Sequence, residues 1–551
     1  MIDPKRLLPF LHWPRPSPAL LRGELSAGLT VALIMVPQSV AYAALAGMPV
    51  VTGLYAAVLP ALVAVLLGNS TRISVGPSAL TCLLVFASLA GMAEPTTGAW
   101  VNLAVWLAIL SGLMQLALGA GALGWVLNLI SAPVLTGFTQ AAALLIIASQ
   151  LPAFLGLTGG LTSLWQGSVQ LDTGALAFGL TSAVLLAAGK RWAPRLPMVL
   201  LVMALGAALS LYSAYSGHGA VIGALPAGLP NLYIPTWPGW DSLSTLLMPA
   251  AVIALVSFLE TASSAKIEAQ HDGRRWDDNQ DLMAQGWAKL ASALSGSFPT
   301  GTSFSRSAVM LYAGGRTGWA TLAVVGCVLL ALLLLLPLLH HVPRAVLAAV
   351  VIAAVAGLLK PGALLQLWRI DRAEAATAVL TFVVTLLSAP RIYWGVLAGV
   401  VVGLVHFLYQ RLHPRIIEVG LHPDGSLRDR HLWQLPALAP HLYALRMDAE
   451  LDFASASALE RAISEHMATH SGLRHVCLFA QPINRIDATG VQMLGQMQKQ
   501  LALAGVTLHI SGVKLPVETV LRKAGVLHEG EHLRLYRTDA QALQTLQQWT
   551  S

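Results

Sequence analysis

Phe298-Pro299-Thr300-Gly301-Thr302-Ser303-Phe304-Ser305-Arg306-Ser307-Ala308 is the stretch on which the reading of this chain turns. It lies in a long apolar region, yet it has the grammar of an interrupted helix. Pro299 and Gly301 break the backbone, and Ser303 or Ser305 then offers a cap for a new helix. A helix starting at membrane depth leaves unpaired N–H groups and a partial positive charge there. Such an end attracts an anion without any side chain, and Arg306 adds a full charge. The first half of the chain holds a counterpart, Ser74-Val75-Gly76-Pro77-Ser78-Ala79-Leu80. Two broken helices at corresponding places in two halves predict an inverted-repeat fold with a midplane site.

Composition supports the membrane setting. Of the 551 residues, 56% are hydrophobic and only 11% charged, and the mean hydropathy is +0.67. Soluble domains run at about 25% charged, so a single water-soluble globule is excluded. Disorder is excluded as well, because the chain has ample apolar surface to bury. Of 59 charged residues, 32 lie in 1–410 and 27 in 411–551. The tail therefore has close to soluble composition.

Apolar runs recur from residue 23 to about 409 and divide into fourteen segments: 23–45, 50–68, 76–92, 98–120, 124–152, 173–190, 196–216, 243–269, 279–296, 304–315, 318–340, 343–359, 373–388 and 390–410. A bilayer core about 30 Å thick needs roughly 20 helical residues, for which 76–92 and 304–315 are short. Lys5, Arg6, Arg15, Arg22, Lys190, Arg191, Arg195, Arg274 and Arg275 sit at the ends of apolar runs, as positive cytoplasmic loops require, and do not form a nucleic-acid stripe. With the N-terminus inside, the cytoplasmic loops also hold Arg72, Arg316, Lys360, Arg369 and Arg372. The opposite loops hold only Arg344 and Arg391. Both termini are therefore expected to be cytoplasmic.

The division expected is a cytoplasmic segment 1–22, a transmembrane domain 23–410, a linker 411–435 and an α/β domain 436–551. In the tail, strands are expected at 441–446, 475–480 and 506–511. Helices are expected at 455–470, 489–503, 516–524 and 539–549.

Ionisable groups inside apolar runs are the positions to question, since each costs on the order of 3 kcal/mol at a helix centre. Besides Arg306, Glu260 stands midway along one such run. Gln38 and Tyr42 lie one helical turn apart, on one face, next to the helix-perturbing Pro37. An amide and a phenol donate to an oxyanion without adding charge. Interhelical ion pairing and hydrogen bonding are the structural alternatives for these residues. Cys82, Cys327 and Cys477 have no metal-ligand spacing, and His340-His341 is an interfacial pair, so no metal and no cofactor is expected. Without a nucleophile–base pair or a phosphate-cradling glycine loop, the chain does not read as an enzyme.

Gly28-Leu29-Thr30-Val31-Ala32, Pro37-Gln38, Ala41-Tyr42-Ala43, Leu45-Ala46-Gly47-Met48-Pro49 and Gly53-Leu54-Tyr55-Ala56 resemble the sulfate permease (SulP) family of anion transporters. So do Gly76-Pro77-Ser78-Ala79, Glu260 with Ser263-Ser264-Ala265-Lys266, Asn279-Gln280 with Ala284-Gln285-Gly286, and Thr302 through Ala308. The tail resembles a STAS domain, with Asp487-Ala488-Thr489-Gly490 at its turn. The resemblance implies a polytopic α-helical membrane protein with two inverted repeats of seven segments, core and gate subdomains, an elevator-like movement, and a homodimer in the cell (inner) membrane.

By position, the resemblance places the anion between Ser78–Ala79 and Phe304, Ser305 and Arg306, with Gln38 and Tyr42 contributing. It makes Glu260 the proton carrier and favours proton-coupled symport of sulfate or a similar oxyanion. The rivals are sodium-coupled bicarbonate symport, proton-coupled dicarboxylate symport and a non-transporting anion sensor. Two departures from the family's usual pattern, Asp281 and Met310, are not expected to touch these ligands. Thr489 stands where soluble STAS regulators carry a phosphorylated serine, or else caps the helix that follows.

Overall fold

Apolar segments can satisfy their backbone in a bilayer only as helices or closed barrels, and the first unit of the chain, residues 1–403, is helical. The structure, a computed structural model, describes residues 8–158, 170–193, 196–217, 219–223, 228–334 and 339–547. Lys5, Arg6 and Arg195 lie outside the described residues, as does part of the segment expected at 318–340.

The first half contains α1 (Pro18–Leu45), α2 (Val51–Leu67), α3 (Ala79–Leu89), α4 (Gly98–Ala120), α5 (Ala132–Leu155), α6 (Thr173–Trp192) and α7 (Met198–Tyr212). The second contains α8 (Trp240–His271), α9 (Asp278–Leu294), α10 (Phe304–Tyr312), α11 (Gly318–Leu334), α12 (Arg344–Ala356), α13 (Pro361–Ile370), α14 (Arg372–Leu387) and α15 (Tyr393–Leu412). In each half the third helix is the short one, and each follows a two-residue strand, β1 (Val75–Gly76) or β4 (Gly301–Thr302). A further two-residue ladder pairs β2 (Leu157–Thr158) with β3 (Gln170–Leu171).

One helix was not expected. α13 fills the gap between 343–359 and 373–388 and buries none of its residues. Pro361 starts it, and Asp371 then caps α14 by accepting from the N–H groups of Ala373 and Glu374.

Packing sorts the helices into two groups. α1–α4 and α8–α11 form one, and α5, α6, α12 and α14 form the centre of the other. Close backbone approach holds the first group together. A Cβ on Gly112 of α4 would lie 2.9 Å from the Gly286 carbonyl oxygen of α9, and one on Gly286 would lie 2.8 Å from that of Gly112. On α2, a Cβ on Gly53 would meet the Ser39 carbonyl oxygen of α1 at 1.9 Å. Small residues replace the hydrophobic effect here, because lipid tails are as apolar as the helices.

The second unit, residues 404–551, is an α/β domain. Its strands β5 (Ile416–Leu421), β6 (Leu427–Asp429), β7 (Leu442–Met447), β8 (His475–Phe479), β9 (Thr507–Ser511) and β10 (Leu533–Tyr536) form one sheet in the order β10-β9-β8-β7-β5-β6. β7 to β10 run parallel, and β5 is antiparallel to both its neighbours. Residues 411–435, expected as a linker, thus contain two strands. Ile417 and Val419 of β5 alternate into the buried layer, a short signal that a 14-residue stretch of charge and turn residues obscures. The sheet is covered by α16 (Ala456–Thr469), α17 (Ala488–Leu503), α18 (Leu515–Lys523) and α19 (Asp539–Gln547). Leu445, Leu478 and Ile510 pack on one face, and Ala444, Cys477 and Phe479 on the other.

The α1–α2 crossing sets where Gln38 and Tyr42 stand, so it gives a test. Gly53→Ala should lower the melting temperature of the detergent-solubilised protein by several degrees, since overpacking costs about 1–3 kcal/mol. Gly326→Ala, where an added Cβ meets nothing within 4 Å, should be neutral or stabilising, as alanine is the better helix former. Equal melting temperatures for both variants would contradict the crossing.

Candidate functional site

Both broken helices are capped by their serines. Ser78 is the N-cap of α3 and accepts from the N–H of Thr81, and Ser303 is the N-cap of α10 and accepts from the N–H of Arg306. By helix geometry the N–H groups of Ala79, Leu80, Phe304 and Ser305 have no carbonyl one turn back to bond. The two approaches are stitched together antiparallel, Val75 opposite Thr302 and Gly76 opposite Gly301. The Ser303 N–H donates to the Ser74 carbonyl at 3.0 Å, and the Ser74 N–H donates to Ser307 Oγ at 2.9 Å. Two helix N-termini from opposite halves are thereby held at one place.

Arg306 lies in this junction with none of its surface exposed. Its Nε donates to Ser74 Oγ at 3.1 Å, Nη1 to Gln38 Oε1 at 3.2 Å, and Nη2 to the Pro77 carbonyl at 2.8 Å. The guanidinium carries five N–H donors, so two are not used by these bonds. Arg306 thus takes the structural role named above as its alternative, through hydrogen bonding and not as an ion pair: it ties α10 to α1 and to the residues on either side of β1. Gln38 accepts through its oxygen, which leaves its amide N–H groups as donors.

Glu260 of α8 is partly buried, and its Oε2 accepts from Ser78 Oγ at 2.8 Å. Ser78 Oγ and Thr81 Oγ1 are 3.0 Å apart. The carboxylate thus sits at the N-terminus of α3, where an anion is favoured. A Cβ on Gly301 would come within 2.8 Å of Glu260 Oε2 and 2.9 Å of Ser78 Oγ, so a larger residue there would have to displace the carboxylate or the hydroxyl. One residue further on, Thr261 Oγ1 lies 2.7 Å from Thr302 Oγ1. Tyr42 is buried within the fields of Arg306 and Glu260. Ala79 is partly buried, whereas Phe304 and Ser305 are exposed. All seven expected ligands and Glu260 thus cluster on α1, α3, α8 and α10.

Sequence reasoning missed Lys289. It lies in α9, fully buried, and donates through Nζ to Gln115 Oε1 at 2.9 Å. Its signal was available, a lysine in the run Trp287-Ala288-Lys289-Leu290-Ala291, but Asn279, Gln280 and Gln285 dilute the contrast with the rest of that segment.

Asp281 likewise has a function of its own. It accepts from the N–H groups of Asn69 and Ser70 at 2.7 and 3.0 Å and from Trp276 Nε1 at 2.8 Å. Glu268 accepts from the N–H groups of Thr71 and Arg72 at 3.0 and 3.2 Å and pairs with Arg274 at 2.7 Å. Together these carboxylates fix the loop that leads into β1.

In the second unit, Thr489 is an exposed residue within the first turn of α17. The cap is Asp487, which accepts from the Gly490 N–H at 2.9 Å, because a residue already inside the helix cannot cap it. Among the described residues, no group of three or more His, Cys, Asp or Glu is placed to hold a metal ion.

Comparison with known proteins agrees with this architecture. The sulfate permease family model matches residues 21–381, and the STAS domain model matches residues 438–542. A probable sulfate transporter 4.2 of Arabidopsis thaliana is 31% identical over 92% of this chain and 78% of its own length. A probable sulfate transporter of Mycobacterium tuberculosis is 30% identical over 95% of both chains, and the sodium-independent sulfate anion transporter of Bos taurus is 30% identical over 95% of this chain and 90% of its own.

Among solved structures, murine Solute Carrier 26 family member A9, an anion transporter in the inward-facing state, superposes with a TM-score of 0.86 at 22% identity. That match covers 98% of this chain and 94% of the other. The transmembrane domain of a cyanobacterium bicarbonate transporter covers 71% of this chain and 98% of its own, with a TM-score of 0.59 at 22% identity. The paired half-helices, the match over most of the membrane unit and the α/β tail lead to one conclusion: the chain belongs to the sulfate permease family and ends in a STAS domain.

Proposed function

We propose that this protein is a secondary active transporter that moves sulfate or a similar oxyanion together with a proton. Three relatives that match over nine-tenths or more of this chain bear the name of sulfate or sulfate anion transporters, one of them sodium-independent. The observation that carries the coupling is the bond from Ser78 Oγ to Glu260 Oε2 at the N-terminus of α3.

The chemistry follows from competition. Each helix N-terminus contributes about half a positive charge, and Arg306 adds one more, so the junction favours an anion. Ionised Glu260 already occupies part of that field and holds the Ser78 hydroxyl as its donor. A dianion arriving beside it meets repulsion and finds that hydroxyl engaged. Protonating Glu260 removes the repulsion. It also turns the carboxyl into a donor toward Ser78 Oγ, which releases the serine proton toward the incoming oxyanion. Proton and anion therefore bind with positive coupling, which is reciprocal by linkage.

The anion then lies between the N–H groups of Ala79 and Ser305, with Phe304 beside it and Gln38, Tyr42 and the free Arg306 donors completing its shell. The group of helices that carries these residues moves as one body against the other in an elevator-like step. The separate packing of the two groups supports that motion. The working unit is a homodimer in the inner membrane with both termini cytoplasmic and the STAS domain, 436–551, regulatory. Exposed Thr489 is its site for modification.

Two measurements test this reading in proteoliposomes. Wild-type protein should accumulate radiolabelled sulfate under an inward proton gradient and not under a sodium gradient alone, whereas Glu260→Gln should bind sulfate yet lose the proton-driven component. Unchanged pH-driven accumulation by Glu260→Gln, or a strict sodium requirement, would overturn proton coupling. Arg306→Lys keeps the charge but not the planar fork, so sulfate affinity should fall about tenfold or more. Amide exchange across 74–81 should also quicken. Unaltered exchange there would contradict the tie seen in the structure.

A further inference from the structure

Lys289 presents a charge that the coupling scheme leaves unused. It is fully buried in α9, and Gln115 Oε1 is its hydrogen-bond acceptor among the described residues. An ammonium group offers three donors. Gln115 is itself fixed, donating through Nε2 to the Ala254 carbonyl at 2.7 Å and to Ser257 Oγ at 3.2 Å. Ser257 lies on α8, one turn before Glu260. The glycine crossing of Gly112 and Gly286 lets the two antiparallel helices approach so closely that a Cβ on Gly112 would lie 3.1 Å from Lys289 Cβ, and the long lysine side chain reaches along α4 to Gln115. Lys289 and Glu260 lie within each other's electrostatic field.

The groups around this pair are few. α4 has no ionisable side chain, and α2 has only Tyr55. Arg306, Tyr42 and Cys82 face Glu260 from α10, α1 and α3. On α8, Asp241, Lys266 and His271 lie toward its ends. Glu268 is engaged with Arg72 and Arg274, and Asp281 with Asn69, Ser70 and Trp276. Asp278 lies at the far, N-terminal end of α9, so among the described residues the full charges left to balance an anion at the junction are Arg306 and Lys289, both positive, and Glu260.

We propose that Lys289 sets the valence of the transported anion, supplying the second positive charge that lets a doubly charged oxyanion cross with Glu260 protonated in a site of zero net charge. The inference rests on the transport reading above. Two cations, a neutral carboxyl and a dianion sum to zero, and burying uncompensated charge is the costliest outcome in a membrane. The empty site, with Glu260 ionised, carries one positive charge. Membrane potential should then act on the return of the empty site and not on the loaded step.

Full-length wild-type protein in liposomes tests this directly. Sulfate–sulfate exchange, which bypasses the empty return, should be independent of an imposed potential, while net sulfate uptake should depend on it. Lys289→Met should weaken apparent sulfate affinity about tenfold or more relative to chloride and make exchange voltage-sensitive. Lys289→Arg should restore the wild-type preference, and Gln115→Leu, which removes the partner but not the charge, should keep it.

Voltage-sensitive exchange in wild-type protein would overturn the proposal, and that readout holds even if Lys289→Met does not fold. So would an equal loss for both anions in Lys289→Met, or a Gln115→Leu preference shifted like that of Lys289→Met. Absence of any sulfate uptake by wild-type protein is a different result and removes the transport reading itself.

Discussion

A full positive charge at membrane depth must be compensated, and the site is organised around how Arg306 meets that demand. Its guanidinium has no exposed surface and donates to acceptors on α1, on the approach to β1 and on the segment between β1 and α3. Those bonds make it the tie that fixes two half-helices head to head. Beside it, Ser307 holds Ser74, and Ser78 bonds Glu260, each through a single hydrogen bond across the halves, whereas the guanidinium alone reaches three separate acceptors. The strand pair β1–β4 supplies only two residue pairs, too little to order the junction alone.

That arrangement creates a place where an anion is welcome and then partly fills it. Glu260 sits on the cap of α3 because Gly301 leaves room for it. In the proposed mechanism the carboxylate is both a stand-in for the substrate and its competitor. On the proposed transport reading, this overlap is what links occupancy to protonation. Lys289 is held by Gln115, which also bonds Ser257 one turn before Glu260, and we assign to it the charge that balances a dianion there. The carboxylates Glu268 and Asp281 act on a different part of the structure, fixing the loop into β1 through its backbone N–H groups.

Much of this was legible in the sequence. The Gly/Pro breaks before Ala79 and Phe304, with a serine at each cap, identified the half-helices, because caps and breakers act locally. The chemistry of Arg306 and Glu260 showed against an apolar background. What the sequence could not show was who bonds whom. Ser74, Pro77 and Gln38 are over 200 residues from Arg306, and only the antiparallel stitching brings them together. Lys289 does not stand out because α9 is rich in amides and opens with two acidic residues, Asp278 and Asp281, behind the cap Asp277. α13 and the β5–β6 pair were missed for a related reason: short amphipathic elements bounded by charges resemble loops. Thr489 was weighed as a cap, but the helix starts one residue earlier, behind Asp487.

The central claim is that the transported oxyanion lies between the N-termini of α3 and α10. Selenate carries the same charge and shape as sulfate and scatters anomalously, so it can be located directly in crystals of the protein grown with it. An anomalous peak within hydrogen-bond distance of the Ala79 and Ser305 N–H groups is the result this account predicts. Well-occupied selenate elsewhere in the membrane unit, with those helix ends left unoccupied, would contradict it.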